Sequence, residues 1–220
     1  SMATRIEREP LRRMAQQTRA SVLLSLGRVD EAIAGMRESE SAAASENNPC
    51  ELARALTNRG WAQLRSLESR WPNLDRESLA SVVTRPSDTA MLDDAADGQS
   101  RALAIFERAC PDPEEAANTR VGLARAFLIR GDLGAASKAL ATRPRTVSPW
   151  ILAAWVEAEA RIAMRRTKVG SSRRADRSRA LDLLDELIAI SESAGLSDAR
   201  IAGLTLRARV LDDMGRVSLA

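Results

Sequence analysis

Apolar residues recur along this chain at spacings of three and four, and hardly anywhere do they alternate with polar ones. Start and stop signals bracket the periodic stretches. Asn48-Pro49-Cys50-Glu51 offers a cap, a proline in the first turn and a glutamate three residues beyond the cap. Asp112-Pro113-Glu114-Glu115 and Ser148-Pro149 repeat that logic, and Ser87 and Ser197 are further cap candidates. Stops fall at Gly27, Gly131, Gly195 and Gly215. The pattern predicts helices over 10–26, 29–46, 49–69, 88–110, 113–130, 132–142, 148–167, 174–194 and 197–214, with a short one near 75–83. It predicts no strand.

Three segments align without gaps about a glycine: Arg19–Gly27, Leu123–Gly131 and Arg207–Gly215. Each has a small residue seven before the glycine (Ala20, Ala124, Ala208) and a large apolar one four before it (Leu23, Phe127, Leu211). A second match follows the glycine: Val29 and Ala32, Leu133 and Ala136, Val217 and Ala220, with Met36 and Leu140 one turn beyond the first two alanines. Self-similarity of this kind marks a stacked array.

These residues resemble the tetratricopeptide repeat family. There a small residue lets the two helices of a repeat approach, a large one fills the gap, glycine turns the chain and a second alanine makes the next close contact. Ala20, Leu23, Gly27 and Ala32 fit those roles, as do Ala124, Phe127, Gly131 and Ala136. Gly60 fits the small position of a second repeat, whose second helix carries Ala102, Phe106 and Ala109, and Ala180, Leu184 and Leu187 repeat that spacing. The resemblance implies an all-α fold, a right-handed α-solenoid of antiparallel helix pairs. About four and a half repeats would form one domain over 1–220, with insertions near 70–88 and 167–174. Gly215–Ala220 matches the opening of a second helix, so the chain is expected to be the N-terminal part of a longer protein. Ile201, Leu204, Ala208 and Leu211 would then await a covering partner.

Composition supports helix and argues against chemistry. Ala, Leu, Arg and Glu dominate, tyrosine is absent and aromatic residues make up 3%. With 33 basic against 30 acidic residues the net charge is +3, and the surplus is too small for a nucleic-acid binder. No histidine exists, which removes the commonest general base and leaves no zinc ligand set. Acidic pairs such as Asp93-Asp94 and Asp212-Asp213 are adjacent and diverge on a helix, so each reads as a solvated face. No cofactor is expected. A lone disulfide would add little to a chain this rich in apolar residues, so Cys50 and Cys110 are expected as buried thiols in a reducing cytosol. No apolar run approaches membrane length, and the protein is expected to be cytoplasmic.

Two features point outward. Arg165, Arg166, Lys168, Arg173, Arg174 and Arg177 lie in a basic stretch expected as a solvated loop between helices. The alternative is contact with nucleic-acid phosphates or with an acidic partner, which would make nucleic-acid binding a third reading of the function. Arg54, Asn58, Trp61 and Arg65 share one helix face at spacings of three, four and seven. By the resemblance that face lines a concave groove, with Asn118, Arg125 and Arg209 stacked beside it. Trp150 and Trp155, as large aromatic side chains, are expected to pack between helices instead. An arginine-rich groove bearing a tryptophan suits a protein partner or an acidic peptide. The expected function is a non-catalytic protein–protein scaffold. The alternative is a regulatory repeat segment of a larger enzyme, such as a caspase-like protease or a signalling ATPase.

Overall fold

Helices account for nearly all of the described chain, and no strand occurs among the described residues. The computed structural model describes residues 15, 18–20, 22–24, 26–70, 85–169 and 173–215. Helical residues at 18–20 and 22–24 are followed by α1 (Val29–Ser45), α2 (Pro49–Arg70), α3 (Pro86–Arg108) and α4 (Pro113–Arg130). Then come α5 (Leu133–Ala139), α6 (Pro149–Val169), α7 (Arg173–Ala194) and α8 (Ser197–Asp213). None of the described helices is long and apolar enough to cross a membrane.

The described residues up to Arg70 and from Arg85 to Gly122 form one compact unit, and those from Leu123 onward form another. In the first unit, helix directions follow from the ion pairs. Arg59 of α2 pairs with Glu40 of α1, while Ala62 packs with Ile33 and Met36, so α1 and α2 are antiparallel. Along α2 and α3, Cys50 meets Cys110, Arg59 meets Asp94 and Arg70 meets Asp88, which is again antiparallel. Between α2 and α4 the order runs the same way: Arg54 reaches Asp112 and Glu115, and Trp61 reaches Asn118. The same holds for α1 and α3, through Arg37 with Asp94 and Glu40 with Arg101. Successive helices alternate in direction and like-directed helices lie side by side. This is helix-pair stacking within the unit.

The second unit is built on α6 and α7. Val156, Ala160, Leu183, Leu184, Leu187, Leu206 and Val210 make its core. Fully burying a valine or leucine side chain contributes about 1.5–3 kcal/mol before ordering costs, and an alanine such as Ala160 less. The α8 helix lies antiparallel on α7, with Arg207 on Asp185 and Arg200 on Glu192. Gly203 brings the two close, because a Cβ there would lie 3.0 Å from Ile188 Cγ1.

The stops work as the sequence suggests. Gly27, Gly131, Gly195 and Gly215 all have positive φ, between 69° and 85°. At the first three, the residue after glycine donates five residues back, as in Asp132 to the Phe127 carbonyl at 2.9 Å. Asn48 and Asp112 are true side-chain caps, accepting from the backbone of Glu51 and Glu115. The serine candidates are not. Ser87 and Ser197 lie inside the first turns of α3 and α8, and Ser148 caps α6 through its carbonyl.

Other expectations change. The cysteines form a disulfide rather than two thiols, because the start of α2 and the residue pair after α3 bring their Cα atoms to 5.4 Å. The basic loop is mostly helix: Arg165, Arg166 and Lys168 end α6, while Arg173, Arg174 and Arg177 begin α7. Arginine is a good helix former, so the arginine-bearing ends of the stretch extend the flanking helices to Val169 and from Arg173. Trp155 is fully buried, but Trp150, in the first turn of α6, is half exposed. Ala109 follows the end of α3 and is exposed. Leu211 is buried and Ala208 half-buried, whereas Ile201 and Leu204 are 63% and 46% exposed. The expected short helix near 75–83 and the matches at Val217 and Ala220 lie outside the described residues.

Candidate functional site

The face on α2 begins with the requirement that the helix bury its other side. Ala53, Leu56, Gly60, Leu64 and Leu67 are buried, which leaves Arg54, Asn58, Trp61 and Arg65 on the flank beside α4. Trp61 is half-buried, and its indole N–H donates to Asn118 Oδ1 at 3.1 Å. A partly exposed ring fixed by its one polar atom is a rigid apolar platform. Asn58 is half-buried and Arg65 is exposed.

The electrostatics at the start of this face differ from an arginine-rich groove. Arg54 lies 3.1 Å from Glu51, 3.6 Å from Asp112 and 3.8 Å from Glu115. Three carboxylates surround one guanidinium, so Arg54 offers no uncompensated positive charge. Burial pushes the Glu115 carboxyl above its ordinary value, and the nearby Asp112 and Glu114 add to this. The Asn118 amide and the Arg54 charge offset only part of it. Arg65 is therefore the exposed cation of the face within this unit. Arg125 and Arg209 are half-buried and belong to the second unit.

Beneath the face lies a polar layer that the periodicity did not reveal. The Thr57 hydroxyl donates to Thr119 Oγ1, whose own hydroxyl donates to the Glu115 carbonyl at 2.7 Å. Gln99 is fully buried and donates to the Thr57 carbonyl at 3.2 Å. It occupies a slot left by two glycines, since a Cβ at Gly60 or Gly122 would lie 2.7 or 2.5 Å from its Nε2. On the opposite flank Arg59, 5% exposed, pairs with Glu40 at 2.9 Å and with Asp94. Gln63 also donates to Asp94, at 2.7 Å. Burial pushes the Asp94 carboxyl up, but hydrogen bonds from Arg59 and Gln63, with the Arg59 charge, outweigh it and hold the group below its ordinary value. Asp94 is thus an ion-pair hub rather than a solvated acid. The sequence signal was there: Arg59 and Gln63 interrupt the buried run of α2 at positions where a solvated side chain has no room.

In the second unit, the basic stretch contributes to a small pocket. Arg166 and Arg179 line it together with Ser137, Glu159, Leu140, Ile162, Ala163 and Leu183. Arg166 donates to Ser137 Oγ at 2.8 Å. Arg174 is exposed and Arg177 half-buried. No protein-family model matches the chain, and no characterised protein matches it in sequence.

Proposed function

We propose that the chain is a non-catalytic protein-interaction scaffold. In this reading it is a right-handed solenoid of helix pairs resembling tetratricopeptide repeats, and the α2–α4 face of the first unit takes a peptide or partner domain. The observation that carries the reading is Trp61. It is a partly exposed indole, held by Asn118 on the neighbouring like-directed helix and flanked by Asn58 and Arg65. Tryptophan and arginine are the residue types most enriched among binding hot spots. With Arg54 engaged by Glu51, Asp112 and Glu115, attraction for an acidic group falls to Arg65. An apolar side chain of the partner would lie on the indole.

The test is affinity capture from the source cell with the full chain as bait, followed by titration of the captured partner. Trp61→Ala should weaken binding by about 30-fold or more, equivalent to about 2 kcal/mol, while the melting transition stays in place. Equal binding by the variant would reject the face. Loss of the melting transition would show that Trp61 belongs to the core instead.

A further inference from the structure

The second unit holds a pocket of about 170 Å³ between α5, α6 and α7, lined by none of the residues of the α2–α4 face. That volume is below the roughly 300 Å³ at which drug-sized sites begin, so only a small molecule fits. Its floor is a small apolar patch of Leu140, Ile162, Ala163 and Leu183, each at most 6% exposed, and the rest of its lining is polar. Its polar groups are of opposite sign. Glu159, Ala163 and Arg166 lie on one face of α6, at spacings of four and three. Arg179 enters from α7, one turn before Leu183.

The cationic side is pre-set. Ser137 Oγ donates to the Leu133 carbonyl at 2.7 Å and accepts from Arg166 Nη2 at 2.8 Å, which pins one guanidinium at the rim. The other N–H groups of Arg166 remain for a ligand. Arg143 is the third arginine near Glu159, but it is committed to Glu186 through contacts of 3.2 and 2.7 Å. The anionic side is held loosely: the Trp155 indole acts on the Glu159 carboxylate, yet neither Trp155 Nε1 nor Glu159 Oε2, both buried, completes a hydrogen bond of ordinary geometry. Burial pushes the Glu159 carboxyl above its ordinary value, although the Arg143 and Arg179 charges and the Trp155 indole oppose this, and Glu186 adds a smaller push upward. A carboxylate raised by burial gains most from a cationic donor brought to it.

We propose that this pocket binds a small zwitterion, an ammonium group joined by a short aliphatic stem to a carboxylate or phosphate. The ammonium pairs with Glu159, the stem lies on Leu140, Ile162 and Leu183, and the anionic end takes Arg166 and Arg179. The proposal is independent of the reading of Trp61.

Calorimetric titration of the full chain tests it, with γ-aminobutyrate and phosphoethanolamine as the two zwitterionic probes. Acetate, inorganic phosphate and methylammonium serve as single-charge controls. At least one zwitterion should bind at least tenfold more tightly than any control, and the better of the two identifies the anionic end. Glu159→Gln and Arg179→Gln should each weaken that binding tenfold or more. Arg179 is exposed, so its variant keeps the fold even where Glu159→Gln disturbs the core. Affinity should also fall as the pH drops and Glu159 takes up a proton. Phosphate or acetate binding as tightly as the zwitterion would overturn the proposal, as would no saturable heat from either probe or an unchanged affinity in Arg179→Gln.

Discussion

Glycine does two different things in this chain, and the contrast can be measured. Gly122 and Gly60 face the Gln99 amide, which is fully buried and hydrogen-bonded to the Thr57 carbonyl. A methyl group at Gly122 would sit 2.5 Å from Gln99 Nε2 and 2.8 Å from its Cδ, and the amide has no solvent to retreat into. Gly122→Ala should therefore destabilise the protein by roughly 1–3 kcal/mol through overpacking. Gly35, in the middle of α1, meets nothing within 4 Å, and its backbone is helical. There alanine relieves only the helix-propensity and entropy penalties, so Gly35→Ala should stabilise by roughly 0.4–1 kcal/mol. Denaturant titration of the two variants beside the parent checks both signs. A neutral Gly122→Ala would mean that the amide can leave its slot. The close approach at Gly60 was legible in the sequence, because a small residue inside an apolar helix stripe has few other uses. What fills the gap was not legible: a single glutamine among apolar neighbours has no periodic signature.

Between elements, polar ties matter as much as apolar stripes. The helices themselves were readable from spacing, from proline at their starts and from glycine at their ends. Those signals are local, and the chain meets them with the expected capping bonds at Asn48, Asp112 and Gly131. The Arg165–Arg179 stretch was misread because charge runs lack the apolar period that marks a helix, although arginine itself favours one. The tie among α1, α2 and α3 was also missed, since Arg59, Glu40 and Asp94 come from three separate helices. Its consequence is a pH dependence. The Asp94 carboxyl titrates below its unfolded-state value, so its contribution to stability is complete above the ordinary aspartate pKa of 3.8. That contribution is lost as the pH falls through the lower, folded-state value. Asp94→Asn removes the charge from beside a buried guanidinium that still has Glu40. It should cost roughly 1–2 kcal/mol at neutral pH, the lower part of the range for charged hydrogen bonds because a third of the Asp94 side chain is exposed. Stability curves of parent and variant should draw together as the pH falls below 3.8 and meet only once it has passed the lower, folded-state value. Curves that stay parallel to the lowest pH would show that Asp94 does not supply the charge that matters.

At the scale of the chain, the disulfide is the feature that composition argued against. Abundant apolar content suggested that a single cross-link would be superfluous, but that reasoning weighed only the folded state. A cross-link acts largely on the unfolded one. Cys50 and Cys110 are 60 residues apart, so their bond closes a long loop and removes much of its freedom before folding begins. The chain-entropy model puts this at about 4 kcal/mol for a loop of that length, a large share of what a domain normally has. Both cysteines lie in the first unit, at the start of α2 and just beyond α3. They sit one turn from Arg54 and two residues from Asp112, so the same bond holds the end of the proposed binding face. Reduction by dithiothreitol, or the Cys50→Ser and Cys110→Ser pair, should lower stability by up to about 4 kcal/mol. The loss should register as faster amide exchange across α2, α3 and the first turns of α4, while α6 to α8 keep their protection. Hydrogen exchange with and without reductant reads both parts of this expectation. An unchanged exchange pattern would show that packing alone fixes the first unit. Equal loss in α6 to α8 would show that the two compact units unfold as one.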